Sequence, residues 1–209
     1  HYNGLIPRNP FIQFHISPNV KEREYLTEDE LKAVMTHEFA DSKLAYIRDI
    51  FIFASFTALS FVDIKELTND NIVEVNGEKW ILSKRHKTKV AFQVKLLDIP
   101  LQIVERYRPM QKDNRIFPGL NYWSICKPLK RMIRECGITK SISFHCSRHG
   151  FATLALSKGM PIESVSRVLG HTNIVTTQLY AKITTQKLDN DLTMFGDKLS
   201  KTFNGITMS

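Results

Sequence analysis

The chain is poor in cysteine. Of its 209 residues only Cys126, Cys136 and Cys146 are cysteines. They are odd in number, far apart and without a CxxC pair, which argues against a disulfide framework and for a reduced, cytosolic setting. A membrane-length apolar run is also missing. The most apolar stretch, IFIFASFTALSFV from Ile50 to Val62, is too short to span a bilayer and lacks signal-peptide flanks, so it reads as a core helix. No repeat or low-complexity segment occurs. Acidic residues are in deficit, 21 Asp and Glu against 29 Lys and Arg, for a formal net charge of +8. That balance favours a polyanionic partner, although alone it implies only unspecific attraction. Hydrophobic residues make up 43% and charged residues 24%, as in an ordinary globular domain able to bury one good core. The first residue is histidine rather than methionine, as expected of a fragment of a longer protein.

The near-terminal NPFIQFHISPN is extended and punctuated by proline, like a strap or linker, and residues 1–20 are assigned to it. LTEDELKAVMTHEF then places Thr27 and Glu30 at capping-box spacing, which predicts a helix start. A second, nearly all-buried helix is expected from about Ser42 to Leu59. NIVEVNGEKWILSK holds two β-rich runs joined through Asn76-Gly77, a hairpin signal. KVAFQVKLLDIPL reads as a third strand. Helices are expected over roughly 101–108, 122–136, 147–158, 161–169, 173–181 and 186–200. The fold class is therefore mainly α with a small antiparallel β-sheet. Between residues 84 and 95 stand Lys84, Arg85, Lys87, Lys89 and Lys95 with no acid among them.

ISFHCSRHGFATLAL (Ile142 to Leu156) crowds His145, Cys146, Arg148 and His149 ahead of an apolar helix. His145 and His149 have the i, i+4 spacing of a zinc pair. A metalloprotease helix would need Glu after the first His, where Cys146 stands, and Arg148 would sit beside the metal. No metal is expected. An isolated His-x-x-Arg is most often a helix cap beside a surface arginine. A phosphate site is the third reading: guanidinium offers a planar fork of donors to phosphoryl oxygens, and a nearby imidazole can move a proton. Downstream, in VLGHTNIVTTQLYAK, Gly170 stops one helix and leaves His171 on the following turn, with Tyr180 nine residues later. Singly, these residues would be a turn histidine and a core tyrosine. In order they form H-x-x-R-H-x-F-A-T, then L-G-H, then Tyr.

That ordered set resembles the tyrosine recombinase, or phage-integrase-type, family over nearly the whole chain. YLTEDELKAVM resembles the family's first catalytic-domain helix. FTALSFVDIKELTNDNI resembles the segment that carries its first catalytic arginine, and KRHKTKVAFQVKLLDIPL its lysine-bearing hairpin. The resemblance implies a catalytic domain over 21–183, an absent N-terminal DNA-binding domain before it, and a tail helix over 184–209. It also implies metal-free and cofactor-free phosphodiester exchange. Tyr180 would attack a DNA phosphate and His145 would act as general base. Lys87 would serve as general acid, with Arg148 and His171 as donors to the non-bridging oxygens. Ser60 stands where the family has its first arginine, a departure shared with integrases of Bacteroides-type conjugative transposons, while Asp63 keeps the acidic position. Strand alternation would place Arg85 on the side of Lys87, and so make Arg85 the substitute cation, with Ser60 secondary. Lys84, Arg85, Lys89, Lys130 and Arg131 are candidate DNA contacts.

The implied partner is double-stranded DNA at recombination sites. Self-assembly into a synaptic tetramer, accessory DNA-bending proteins, and a bacterial cytoplasmic, nucleoid-bound location complete the expectation. Leu188, Leu192, Phe195 and Leu199 form an apolar stripe at helical spacing, suited to docking on a neighbouring protomer. Two alternatives remain: relaxation of supercoils by a type IB topoisomerase, and a non-catalytic regulator whose residues 161–181 form a helix-turn-helix.

Overall fold

A computed structural model describes residues 24–87, 89–111, 113–181 and 185–202; the expected linker, 1–20, lies outside these. The first helix, α1 (Glu28–Thr36), begins at the anticipated capping box. The Thr27 hydroxyl accepts from the Glu30 N–H (3.3 Å) and the Glu30 carboxylate accepts from the Thr27 N–H (2.7 Å). These bonds satisfy donors that the helix itself cannot. The next helix, α2 (Ser42–Thr57), is apolar nearly all round, so it can be stable only inside the protein. It forms the axis of the main core, with Leu44, Ile47, Ile50, Phe51 and Phe53 essentially inaccessible. Its one buried charge, Asp49, accepts from Arg48 Nε (2.9 Å), Arg106 Nη1 (2.6 Å) and the Tyr107 hydroxyl (2.8 Å). Burial without such partners would be prohibitive; with them it ties α2 to the later helix α4 (Asp98–Tyr107).

A short helix that periodicity did not reveal, α3 (Phe61–Glu66), follows α2. Strands β1 (Ile72–Val75), β2 (Glu78–Lys84) and β3 (Ala91–Lys95) then form an antiparallel sheet in the order β1-β2-β3. Asn76 and Gly77 both take positive φ (53° and 76°) between the paired Val75 and Glu78, as a type I′ hairpin requires. The third strand is shorter than its sequence suggested. It ends at Lys95, and α4 begins at Asp98 with Pro100 in its first turn, where the missing proline N–H costs nothing.

The later helices are α5 (Tyr122–Glu135), α6 (Cys146–Ser157), α7 (Ile162–Leu169), α8 (Val175–Gln178) and α9 (Thr185–Thr202). Where a helix was expected over 173–181, α8 is one turn. Its run of β-branched residues, Ile174 to Thr177, favours helix poorly. The bonds that follow it, Tyr180 N–H to Thr177 O and Ala181 N–H to Gln178 O (both 3.0 Å), close i→i−3 rings. A second, smaller apolar cluster of Ala58, Ala152, Leu156, Val165 and Leu169 joins α6 and α7 to the end of α2, and Tyr180 packs against its edge.

Candidate active site

Two arginines from distant parts of the chain meet at the end of α7. The last carbonyls of a helix lack partners within it and carry its negative pole. Val168 O accepts from Arg85 Nη2, and the next carbonyl, Leu169 O, accepts from Arg148 Nη2. Gly170 then turns the chain with φ 62°. A side chain there would clash, because a Cβ on Gly170 would stand 3.0 Å from Arg85 Nε and 3.1 Å from its Cγ. The Leu-Gly-His sequence thus has a physical reading. Leu offers a carbonyl to one arginine, Gly leaves room for the other, and His emerges beside both.

Arg148 projects from the first turn of α6, and its second anchor is the carbonyl of Ala58 (2.8 Å). Ala58 itself takes φ 55°, a left-handed conformation that costs a non-glycine residue about 1 kcal/mol, and it does so fully buried. Burial, then the charge of Arg85, pushes the Arg148 guanidinium down to about 10, against the opposing influence of Tyr180 and Asp63.

Arg85 is not on the exposed face of the hairpin. Strand β2 ends at Lys84, and Arg85 continues its inward face after Ile81 and Ser83, lying flat over the Phe92 ring at 4.1 Å. It is 5% exposed and pairs with Asp63 at 2.8 Å. The expectation that alternation would align it with Lys87 therefore fails: Arg85 N–H bonds to Val90 O (2.8 Å) and Lys89 N–H to Arg85 O (2.9 Å), so a turn, not a strand, carries Lys87. Lys87 is exposed at the hairpin tip, and Lys84 and Lys89 are exposed as well. As a surface DNA contact Arg85 is corrected by its burial.

Ser60 is also committed elsewhere. It caps α3, accepting from the Asp63 N–H (3.3 Å) and donating its hydroxyl to Asp63 Oδ2 (2.8 Å). Burial alone would raise the Asp63 carboxyl, but the His86 N–H (3.0 Å), Arg85 and Ser60 outweigh it and hold the group below its ordinary range.

His171 is fixed by Thr177, whose fully buried hydroxyl lies 2.9 Å from its Nδ1. Burial, then the charges of Arg148, Arg85 and His145, pushes its imidazole down to about 4. It is neutral at physiological pH and can donate from Nε2 if Thr177 donates to Nδ1. His145 sits at the start of α6. Its ring meets that of His149 edge-on at 4.9 Å, and His149 in turn meets Tyr180 at 5.0 Å. Sequence reasoning used His149 only as a zinc candidate and missed its place between the two, though its i+4 spacing from His145 was the available signal. It also missed Asp63 as a hub and Thr177 as the support of His171.

Ser60, His145 and Arg148 border a cleft of about 650 Å³, lined also by Val62, His86 and Trp123. On the outer surface, Lys130 and Arg131 of α5 are exposed, and Arg131 is engaged with Glu135 (2.7 Å) and Asp41 (3.4 Å). No described helix is long and apolar enough to cross a membrane.

Residues 24–187 match the model of the phage integrase family. The chain belongs to that family. Among its members, tyrosine recombinase XerD of Listeria monocytogenes serotype 4b is 37% identical over 204 residues, covering 90% of this chain and 67% of that protein. Tyrosine recombinase XerA of Pyrococcus horikoshii is 32% identical over 177 residues, covering 78% of this chain. The chain spans 58% of the length of that XerA. Among solved structures of the family, the Tn1549 transposon integrase in complex with a circular intermediate DNA superposes with a TM-score of 0.75 at 17% identity, over 91% of this chain and 72% of that one. The XerA recombinase crystal structure gives 0.66 at 21% identity, over 82% and 65%. These likenesses establish the integrase-family catalytic fold.

Proposed function

We propose that this chain is the catalytic portion of a site-specific DNA recombinase that integrates or excises a mobile element. The observation that carries the reading is the gathering of His145, Arg148, His171 and Tyr180, from α6 and the turns after α7 and α8, around one another in a family fold, with His145 and Arg148 lining a cleft.

In this reading Tyr180 attacks a DNA phosphate. The Tyr–O–P bond forms as the bond to the 5′-oxygen breaks, leaving a 3′-phosphotyrosine and a 5′-hydroxyl. A second 5′-hydroxyl reverses the step, so bond energy is conserved and no nucleotide cofactor is consumed. A phenol of pKa near ~10 must lose its proton as it attacks. His145 takes that proton, with His149 holding the rings in sequence. Lys87, exposed at the end of a hairpin, reaches over bound DNA to protonate the leaving oxygen. Arg148 and His171 donate to the non-bridging oxygens, where charge accumulates. Arg85 supplies the second guanidinium charge from below, and Asp63 holds it there; Ser60 contributes by capping, not by contacting phosphate. All positive charge comes from side chains, so the reaction needs no metal.

Lys84, Lys89 and Lys130 lie exposed where they can track duplex phosphates. Residues 21–183 form the catalytic domain. The exposed stripe of Leu188, Leu192, Phe195 and Leu199 on α9 docks on a second copy, building a tetramer on paired sites with the help of DNA-bending proteins. A bacterial cytoplasmic location, bound to the nucleoid, accords with this task.

The regulator alternative is disfavoured because its recognition helix would be α8, a single turn with Thr177 buried. The test is covalent capture: full-length protein on nicked duplex should yield a denaturation-resistant adduct, and Tyr180→Phe should bind yet yield none. An adduct from the Phe variant at wild-type level removes the assignment. Strand exchange between paired sites, as against relaxation of supercoils alone, separates a recombinase from a topoisomerase.

A further inference from the structure

The most exposed large apolar side chain of the described residues stands at the mouth of the catalytic cleft. Trp123, in the first turn of α5, is 83% exposed. It lines the same cleft as His145 and Arg148, beside Tyr122 and Val62, which are 47% and 40% exposed. Leaving an indole in water forgoes a large hydrophobic gain, so an exposed patch of this kind marks a contact surface.

The patch is rigid. Phe144 meets Phe61 at 5.4 Å, Phe61 meets Tyr122 at 5.4 Å and Tyr122 meets Trp123 at 5.9 Å, all near edge-on. This ladder climbs from the core to the surface. The backbone under its last rung is set by the Asn121 side chain, which accepts from the Trp123 backbone N–H at 3.0 Å and starts the helix there. Further along, the buried face of α5 is Ile125, Leu129, Met132 and Ile133. The opposite face, from Trp123 through Lys127, Lys130 and Arg134, is exposed. One helix face therefore carries an apolar head at the scissile-phosphate site and cations along the rest.

A second protein would be a poor match for so basic a face. A duplex fits both parts: phosphates accept the lysines, and base edges in the major groove offer an apolar group, the thymine methyl, to a side chain that can read little else. Building on the recombinase reading above, we infer that α5 enters the major groove beside the scissile phosphate and that Trp123 selects base pairs there through thymine methyl groups. Trp123 is thus a specificity residue, while Lys127 and Lys130 are indifferent to sequence.

The experiment selects duplexes from a random-sequence pool with full-length protein and maps covalent attachment on the winners. Wild type should show a preference for thymine within a few base pairs of the attachment point. Replacing that thymine by uracil, which removes only the methyl, should weaken binding about 5- to 30-fold. Trp123→Ala should erase both the preference and the uracil penalty, Trp123→Phe should keep part of each, and Lys127→Ala should weaken all duplexes alike. Because Trp123 is exposed, folding is not at stake, and an unchanged melting temperature verifies this. Normal adducts with a preference indifferent to Trp123 overturn the inference alone. So does a Trp123→Ala variant that loses only self-association. Absence of any adduct with wild type strikes the catalytic reading instead.

Discussion

Arg148 and Arg85 are held by consecutive carbonyls of α7, yet their other anchors differ. Arg148 also bonds to Ala58 O, an uncharged acceptor. Arg85 also pairs with a carboxylate, Asp63, and covers an aromatic ring. A guanidinium held by carbonyls keeps its charge for an incoming phosphate, whereas one held by a carboxylate has spent much of it locally. On the proposed reading the first serves the phosphate directly, and the second stands as a structural pillar whose residual field reaches it.

The largest effect that can break this comparison is on folding. Arg85→Ala should destabilise the protein by about 3–5 kcal/mol, because it strands Asp63 as a buried, unpaired charge. Chemical denaturation measures this, and the double variant Arg85→Met with Asp63→Asn should recover most of the loss. If Arg85 also supports catalysis, the repaired double variant will still cleave slowly; normal cleavage would confine Arg85 to the scaffold. Arg148→Ala should act the other way round. Single-turnover cleavage should fall about 10²–10³-fold, roughly 2.7–4 kcal/mol of transition-state stabilisation, with the smaller share of its cost in the fold.

Gly170→Ala touches both arginines indirectly. It forces a side chain into a left-handed conformation and against Arg85, and should cost about 1–2 kcal/mol. Relief by Arg85→Met in the same chain would show that the contact, not the backbone, dominates. A gentler probe is pH. His171 in the folded protein resists protonation down to about 4, while in the unfolded chain it takes a proton near ~6.5. Between these values the unfolded state binds more protons, so stability should decline as pH falls from about 6.5 towards 4. His171→Gln should flatten that part of the profile. The smallest expected effect is none: chelator should leave cleavage unchanged, since Arg148 and Arg85 supply the charge a metal would, and neutral His171 adds a hydrogen bond.

Much of this was readable before any coordinates. Asn76-Gly77 marked its hairpin because few residue pairs accept positive φ twice in succession, and Thr27 with Glu30 marked a helix start because both partners of the capping box are local. His145, Arg148, His171 and Tyr180 were found as an ordered set. What escaped was whatever depends on where a local pattern stops. The inward turn of Arg85 is invisible to period-two reasoning, which is valid only while the strand lasts. The capping role of Ser60 hid behind the question of a missing arginine, and α3 is too short for any periodicity to emerge. The truncation of α8 could have been suspected from its β-branched run.

The carbonyls of Val168 and Leu169 have a further consequence, for the order of assembly. Arg85 reaches across 83 residues of sequence to Val168, and Arg148 reaches back 90 residues to Ala58. Contacts of such long range close late, after local helices and the hairpin have formed. Until α7 has docked, each guanidinium lacks one of its two anchors. On the proposed recombinase reading, a nascent chain, or one partly opened by thermal fluctuation, would hold Tyr180 without the full grip on a phosphate. On that reading, completing the fold and arming the strand-breaking chemistry are one event.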